Sequence, residues 1–134
     1  ASQTDGSEYT QAIATISQTL EMVDNVQVSG YAVNSTALSA MHKAQLDAKI
    51  VLLKKYLNLS VICEGHTDNS GTPEANRQVG LRRAETVKKY LVSQGIAASR
   101  IQAVSKAEME PIAPNDTKEN RAKNRRMEFK VIEN

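Results

Sequence analysis

"EGHTDNSGTPEANRQVGLRRAETV", Glu64 to Val87, decides how the rest of the chain is read. Asn69-Ser70-Gly71 is a turn signal. Thr72-Pro73-Glu74 then starts a helix: a hydroxyl cap, a proline at the first helical position and an acid in the first turn. Gly80, Ala84, Val87 and Leu91 form its buried stripe, and Gly95 ends it. Asp68 therefore falls on the loop before the helix. Asn76 and Arg83 lie about two turns apart on one helical face, with Val79 between them. Asp68 and Arg83 either form an ordinary ion pair or hold the two ends of a ligand that carries both charges. A helix N-terminus and a guanidinium favour a carboxylate, and Asp68 suits an ammonium.

Working outward, Leu59, Val61 and Cys63 alternate with Ser60, Ile62 and Glu64. That is strand spacing, and Ile62 implies some cover on both faces. Gly65 and the turn residues after it argue against a regular strand through His66. Upstream, Leu46, Ile50, Leu53 and Leu57 mark a helix over roughly Thr36 to Tyr56. The Val26–Val28 alternation predicts a strand reaching about Val33. Tyr9, Ile13, Ile16, Leu20 and Val23 trace a first amphipathic helix. Downstream, Arg100 to Ser105 reads as a strand. Ala107 to Asn124 reads as a loop with Pro111, Pro114 and a helical turn from Thr117. Met127, Phe129 and Val131 give a last, half-exposed strand. The expected class is α/β (α+β): a two-layer sandwich with a mixed four-stranded sheet and helices on one face. Its core order is β-α-β-α-β-β plus an N-terminal helix. Residues 1–25 are expected to form a tail and helix, and 26–134 the functional domain.

A chain of 134 residues fits one domain, and 40% hydrophobic content makes it globular. The net charge of +2 is too weak to argue for nucleic acid. Arg121, Lys123, Arg125 and Arg126 read as a solvated strand edge. A lone Cys63 on apolar strand positions excludes an intrachain disulfide and reads as inert packing. There is no G-x-S-x-G elbow, no Gly-rich phosphate loop and no paired cysteine, so catalysis has little support. No apolar run approaches the ~20 residues of a membrane span. The expectation is a mature or excised soluble domain, with any membrane attachment upstream of Ala1. Glu64, His66 and Asp68 would share one face of an uninterrupted strand and could hold a metal. The plainer reading has His66 and Thr67 hydrogen-bonding loop backbone and holding Asp68. No metal or cofactor is expected.

These residues resemble the OmpA-like peptidoglycan-binding domain of the OmpA, Pal and MotB type. The resemblance rests on Gly65-His66-Thr67-Asp68, Gly71, Asn76, Arg83-Ala84 and Val87. It continues through Gly95-Ile96, Arg100-Ile101, Pro111, Asn115, Arg121-Ala122, Asn124-Arg125-Arg126 and Glu128, with Asn34-Ser35 aligned upstream. It implies non-covalent binding of peptidoglycan through the diaminopimelate residue of its stem peptide, in the periplasm of a Gram-negative bacterium. By resemblance Asp68 takes the ammonium and Arg83 the carboxylate, and Asn34 and Asn76 hydrogen-bond the ligand. Thr67 supplies backbone contacts, Val79 an apolar wall, and Arg125 contacts the stem or braces the pocket. Outer-membrane attachment would come from a segment absent from the chain, and a homodimer is compatible. Loss of Asp68 or Arg83 is expected to abolish wall binding and leave melting nearly unchanged. Val79-Gly80, Ala32, Asn120 and Ser105-Lys106-Ala107 depart from the family pattern. Two rivals remain: a metal-dependent wall hydrolase using Glu64, His66 and Asp68, and a stator-like anchor of a motor complex.

Overall fold

The computed structural model describes residues 6–21 and 38–134. The first helix, α1, spans Gly6–Ser17 and is followed by a two-residue strand, β1, Leu20–Glu21. Then come α2 (Ala40–Lys55), β2 (Leu59–His66), α3 (Pro73–Ser93), β3 (Ile101–Ala107), α4 (Lys118–Asn124) and β4 (Arg126–Glu133). The sheet order is β1-β4-β2-β3. β2 is central, parallel to β3 and antiparallel to β4, while β1 pairs antiparallel with β4. This is the expected mixed four-stranded α+β sandwich.

One core cluster joins Ile16 of α1, Leu20 of β1, Leu46, Ile50 and Leu53 of α2, and Ala84, Val87 and Leu91 of α3. Against them pack Leu59, Val61 and Cys63 of β2, Ile101 of β3, and Met127 and Phe129 of β4. The strand partners Cys63↔Phe129 and Val61↔Ile101 share this covered face. Cys63 is buried and unpaired, and burial pushes its thiol up to about 12, so it is inert packing as expected.

The predicted helix Tyr9–Val23 is shorter than its stripe suggests. It stops at Ser17 because the Lys49 ammonium caps it, donating to the carbonyls of Thr15 (3.2 Å), Ile16 (2.9 Å) and Gln18 (2.6 Å). Leu20 reaches the same core from a strand, opposite Met127. The predicted strand from Val26 to Val33 and the start of α2 at Thr36 lie outside the described residues. α2 is capped reciprocally by Ser39 and His42, and His42 Nε2 also binds Glu21 O at 2.9 Å. Leu57, placed in the α2 stripe by its spacing, falls past the helix end and is exposed.

The turn and helix at the centre of the sequence are as expected. Thr72 Oγ1 accepts from Ala75 N at 3.1 Å, Pro73 opens α3, and Gly95 takes a φ of 106° just past its end. β2, however, runs straight through Gly65 to His66, with a register shift against β3 at Gly65/His66. The reason is the place of Gly65 in the packing. A Cβ there would sit 2.7 Å from the carbonyl carbon of Gly80 and 3.0 Å from its Cα. Gly80 in turn would place a Cβ 2.8 Å from Gly65 O. Strand and helix backbones touch at this pair, which accounts for the departure at Gly80. Among the described residues, no helix is long and apolar enough to cross a membrane.

Candidate functional site

The Gly65–Gly80 contact sets the site, because Asp68 and Arg83 each follow it by three residues. Arg83 is fully buried, and its Nη1 donates to His66 O at 3.4 Å, at the end of β2. Asp68, 2% exposed, lies two residues farther along. Its ion pair is with Arg125, whose Nη1 meets Asp68 Oδ2 at 2.5 Å. Asp68 Oδ1 accepts from Ser70 N at 2.9 Å. Burial alone would raise the Asp68 carboxyl. The Ser70 amide and the Arg125 guanidinium outweigh it and hold the group below its usual range, so it is anionic.

Asn76 is buried in the first turns of α3. Its amide donates to Gly71 O at 3.2 Å and Glu108 Oε1 at 3.4 Å, which ties the turn to the loop after β3. Val79 is buried on the same helix. Thr67 does not offer a free amide: its N–H donates to Ala107 O at 2.9 Å, and its hydroxyl donates to Asp68 O at 2.8 Å. Asn34 lies outside the described residues. Asp68, Arg83, Asn76, Thr67, Val79 and Arg125 are thus assembled by the end of β2, the start of α3 and the start of β4.

Two expectations need correction. The C-terminal basic run is a solvated edge only in part: Lys123 is exposed and Arg121 half-buried, but Arg125 and Arg126 are buried. Arg126 Nε donates to Glu128 Oε2 at 2.7 Å, and its Nη2 donates to Glu110 O at 2.8 Å. The metal candidate also changes: Asp68 is committed to Arg125, and the third group near Glu64 and His66 is Glu110. Spacing does not pair Asp68 with Arg125, which the resemblance names as a stem contact or brace of the pocket, because the two are far apart in sequence and meet only through β2–β4 pairing.

Asn124 was matched as a motif residue without a role. It is fully buried and organises the loop before α4. Its Oδ1 accepts from Ile112 N (2.8 Å) and Ala113 N (3.1 Å), and its Nδ2 donates to Ala113 O and Asn115 Oδ1 (both 2.9 Å). Ala107, in the stretch that departs from the family pattern, adopts a φ of 49° and is bonded through its N–H to Ser105 Oγ at 3.2 Å.

A model of the OmpA family matches residues 30–125. The chain belongs to the OmpA family. It is 45% identical over 73 residues to Outer membrane protein A of Bordetella avium, covering 54% of this chain and 38% of that protein. It is 39% identical over 83 residues to the peptidoglycan-associated lipoprotein of Rhizobium meliloti, covering 62% of this chain and 47% of that protein. The chain therefore spans less than half the length of these OmpA-family relatives. Among solved structures, the peptidoglycan-associated lipoprotein of Burkholderia pseudomallei superposes with a TM-score of 0.75 at 24% identity, over 86% of this chain and 90% of that one. The C-terminal domain of Helicobacter pylori MotB gives 0.70 at 25%, over 76% and 80%.

Proposed function

We propose that this chain is a non-catalytic module that grips peptidoglycan through the diaminopimelate residue of the stem peptide. The carrying observation is the buried pairing of opposite charges at one site. An anionic Asp68 is braced by Arg125, and the Arg83 guanidinium stands at the adjacent strand end. By the resemblance Arg83 takes the ligand carboxylate and Asp68 the ammonium on the same carbon, with Arg125 as the brace of Asp68. Asn76 and Asn34 hydrogen-bond the ligand, and Val79 gives an apolar wall. Membership of the OmpA family and the names of the relatives support this reading. The module works in the periplasm and is tied to the outer membrane by a segment beyond this chain. Many weak wall contacts then hold through avidity.

The burial of both groups governs the choice of variant. Asp68→Ala would leave a buried Arg125 unpaired, a change that costs about 3–5 kcal/mol. The expectation of unchanged melting therefore does not extend to alanine variants. Asp68→Asn and Arg83→Lys keep more of the side-chain volume than alanine does, but Asp68→Asn still removes one of the two acceptors and the charge opposite Arg125, so folding is checked for each. Calorimetric titration with a diaminopimelate-containing stem peptide should show binding by wild type and at least about tenfold loss in each folded variant. A stem with lysine in place of diaminopimelate should bind more weakly, because it lacks the carboxylate that Arg83 would hold. Wild-type affinity in both variants, at confirmed folding, rules the site out.

A further inference from the structure

The loop after β3 reaches the candidate site through one side chain, Glu108. It is half-buried, directly past the end of β3, and its Oε1 accepts from Asn76 Nδ2 at 3.4 Å. The same nitrogen donates to Gly71 O at 3.2 Å. An amide NH₂ has two donors and no acceptor, so two oxygens around it fix which end of the Asn76 side chain is which. Asn76 Oδ1 then lies over the turn before α3, where a Cβ on Gly71 would come within 2.9 Å of it. No donor to Asn76 Oδ1 is found among the described residues. The same turn is tied to Asp68, whose Oδ1 accepts from Ser70 N at 2.9 Å. The charge of Asp68 is met by Arg125, whereas Glu108 has no ion-pair partner among the described residues.

We infer that Glu108 is a positioning and specificity-determining residue of the site, which holds Asn76 with its oxygen presented over the turn and adds a carboxylate beside it. This side of the site then accepts a cationic N–H donor and repels a carboxylate. The inference rests on the wall-binding reading and deepens it: the selected group is the ammonium at the tip of the stem residue. An ammonium brings three N–H donors, and each Asp68 oxygen already accepts one bond. Asn76 Oδ1 and Glu108 supply the further acceptors. Without Glu108 the Asn76 amide can turn over and offer its nitrogen, a donor, to the same spot. Gly71 belongs to the device, because a side chain there would displace Oδ1.

The full chain is titrated calorimetrically with two diaminopimelate-containing stem peptides, one with its distal amine and one with a hydroxyl of similar size in its place. Wild type should prefer the amine by at least about tenfold, the worth of charge-assisted hydrogen bonds. Glu108→Ala should lower that preference several-fold. Glu108→Gln keeps an acceptor for Asn76 Nδ2 without the charge and should fall between the two. Gly71→Ala should lower the preference as well. The preference for diaminopimelate over lysine in the stem reports the distal carboxylate and should be the same in wild type and Glu108→Ala. Without ligand, exchange of the Asn76 side-chain amide protons should quicken in Glu108→Ala and recover in Glu108→Gln. Failure of wild type to bind either peptide refutes the wall-binding reading, and the inference with it. Binding by wild type, with the full amine preference kept in folded Glu108→Ala or Gly71→Ala, overturns the inference and leaves that reading standing.

Discussion

Replacing Gly65 by alanine should destabilise the protein strongly, against the usual trend. In an ordinary strand interior, glycine to alanine gains about 0.5–1 kcal/mol through chain entropy. Here the new Cβ would lie 2.7 Å from Gly80 C and 3.0 Å from Gly80 Cα. Ordinary carbon contacts need about 3.5–4.0 Å, so α3 must retreat from β2 by about 1 Å. Both partners are backbone, and neither can rotate aside. Overpacking of this kind costs about 1–3 kcal/mol. The retreat also loosens Ala84, Val87 and Leu91 against Val61 and Cys63, so the expected loss is about 3 kcal/mol. With a urea slope of about 1.5 kcal/mol/M, the midpoint should fall by about 2 M. Gly6→Ala is the control, because a Cβ there meets nothing within 4 Å. Wall binding by the folded fraction should fall too, since α3 carries Arg83. A Gly65→Ala midpoint equal to or above wild type would refute the close-approach argument.

Ala107→Gly relieves a left-handed φ of 49° that costs a non-glycine residue about 1–2 kcal/mol. It should be neutral or stabilising by up to about 1 kcal/mol in urea melts; a clear loss would show the backbone there to be unstrained. Asn124→Ala removes the bonds to Ile112, Ala113 and Asn115 and should cost at least about 2 kcal/mol. It should also speed proteolysis between Glu110 and Asp116, and wild-type proteolysis kinetics would count against the role assigned. Burial lowers Lys49 to about 8, below its ordinary 10.5. The unfolded chain then binds more protons between these values, so stability rises as pH climbs from about 8 to 10.5 and is lost again as pH falls through 8. Lys49→Met should remove that rise in paired urea melts, and an identical pH profile in the two proteins would exclude Lys49 as its source.

Local chemistry was the legible part. Thr72-Pro73-Glu74, the 80/84/87/91 stripe and Gly95 are signals carried within one element, and α3 appears as they dictate. The site was legible as far as one element reaches: Asn76, Val79 and Arg83 share α3. Partners set by strand pairing were not. Nothing near Asp68 announces Arg125, and nothing near His66 announces Glu110. Gly65 looked like a strand breaker because glycine there is weak by propensity. Only the facing Gly80 explains it, and facing pairs leave no trace in one-dimensional periodicity. The same blindness carries the expected first helix past Ser17 through Leu20 to Val23, because a strand residue such as Leu20 and a helix residue can fill one core at matching spacing.

The position of β2 has a mechanical consequence. The strand ends beside Asp68 and is hydrogen-bonded along both flanks, through eight registered positions with β4 and six with β3. A pull applied at Asp68 along the strand cannot open these ladders one rung at a time, as it would at a sheet margin. It must slide the whole strand and break the rungs together, so a tether fastened here resists force through shear.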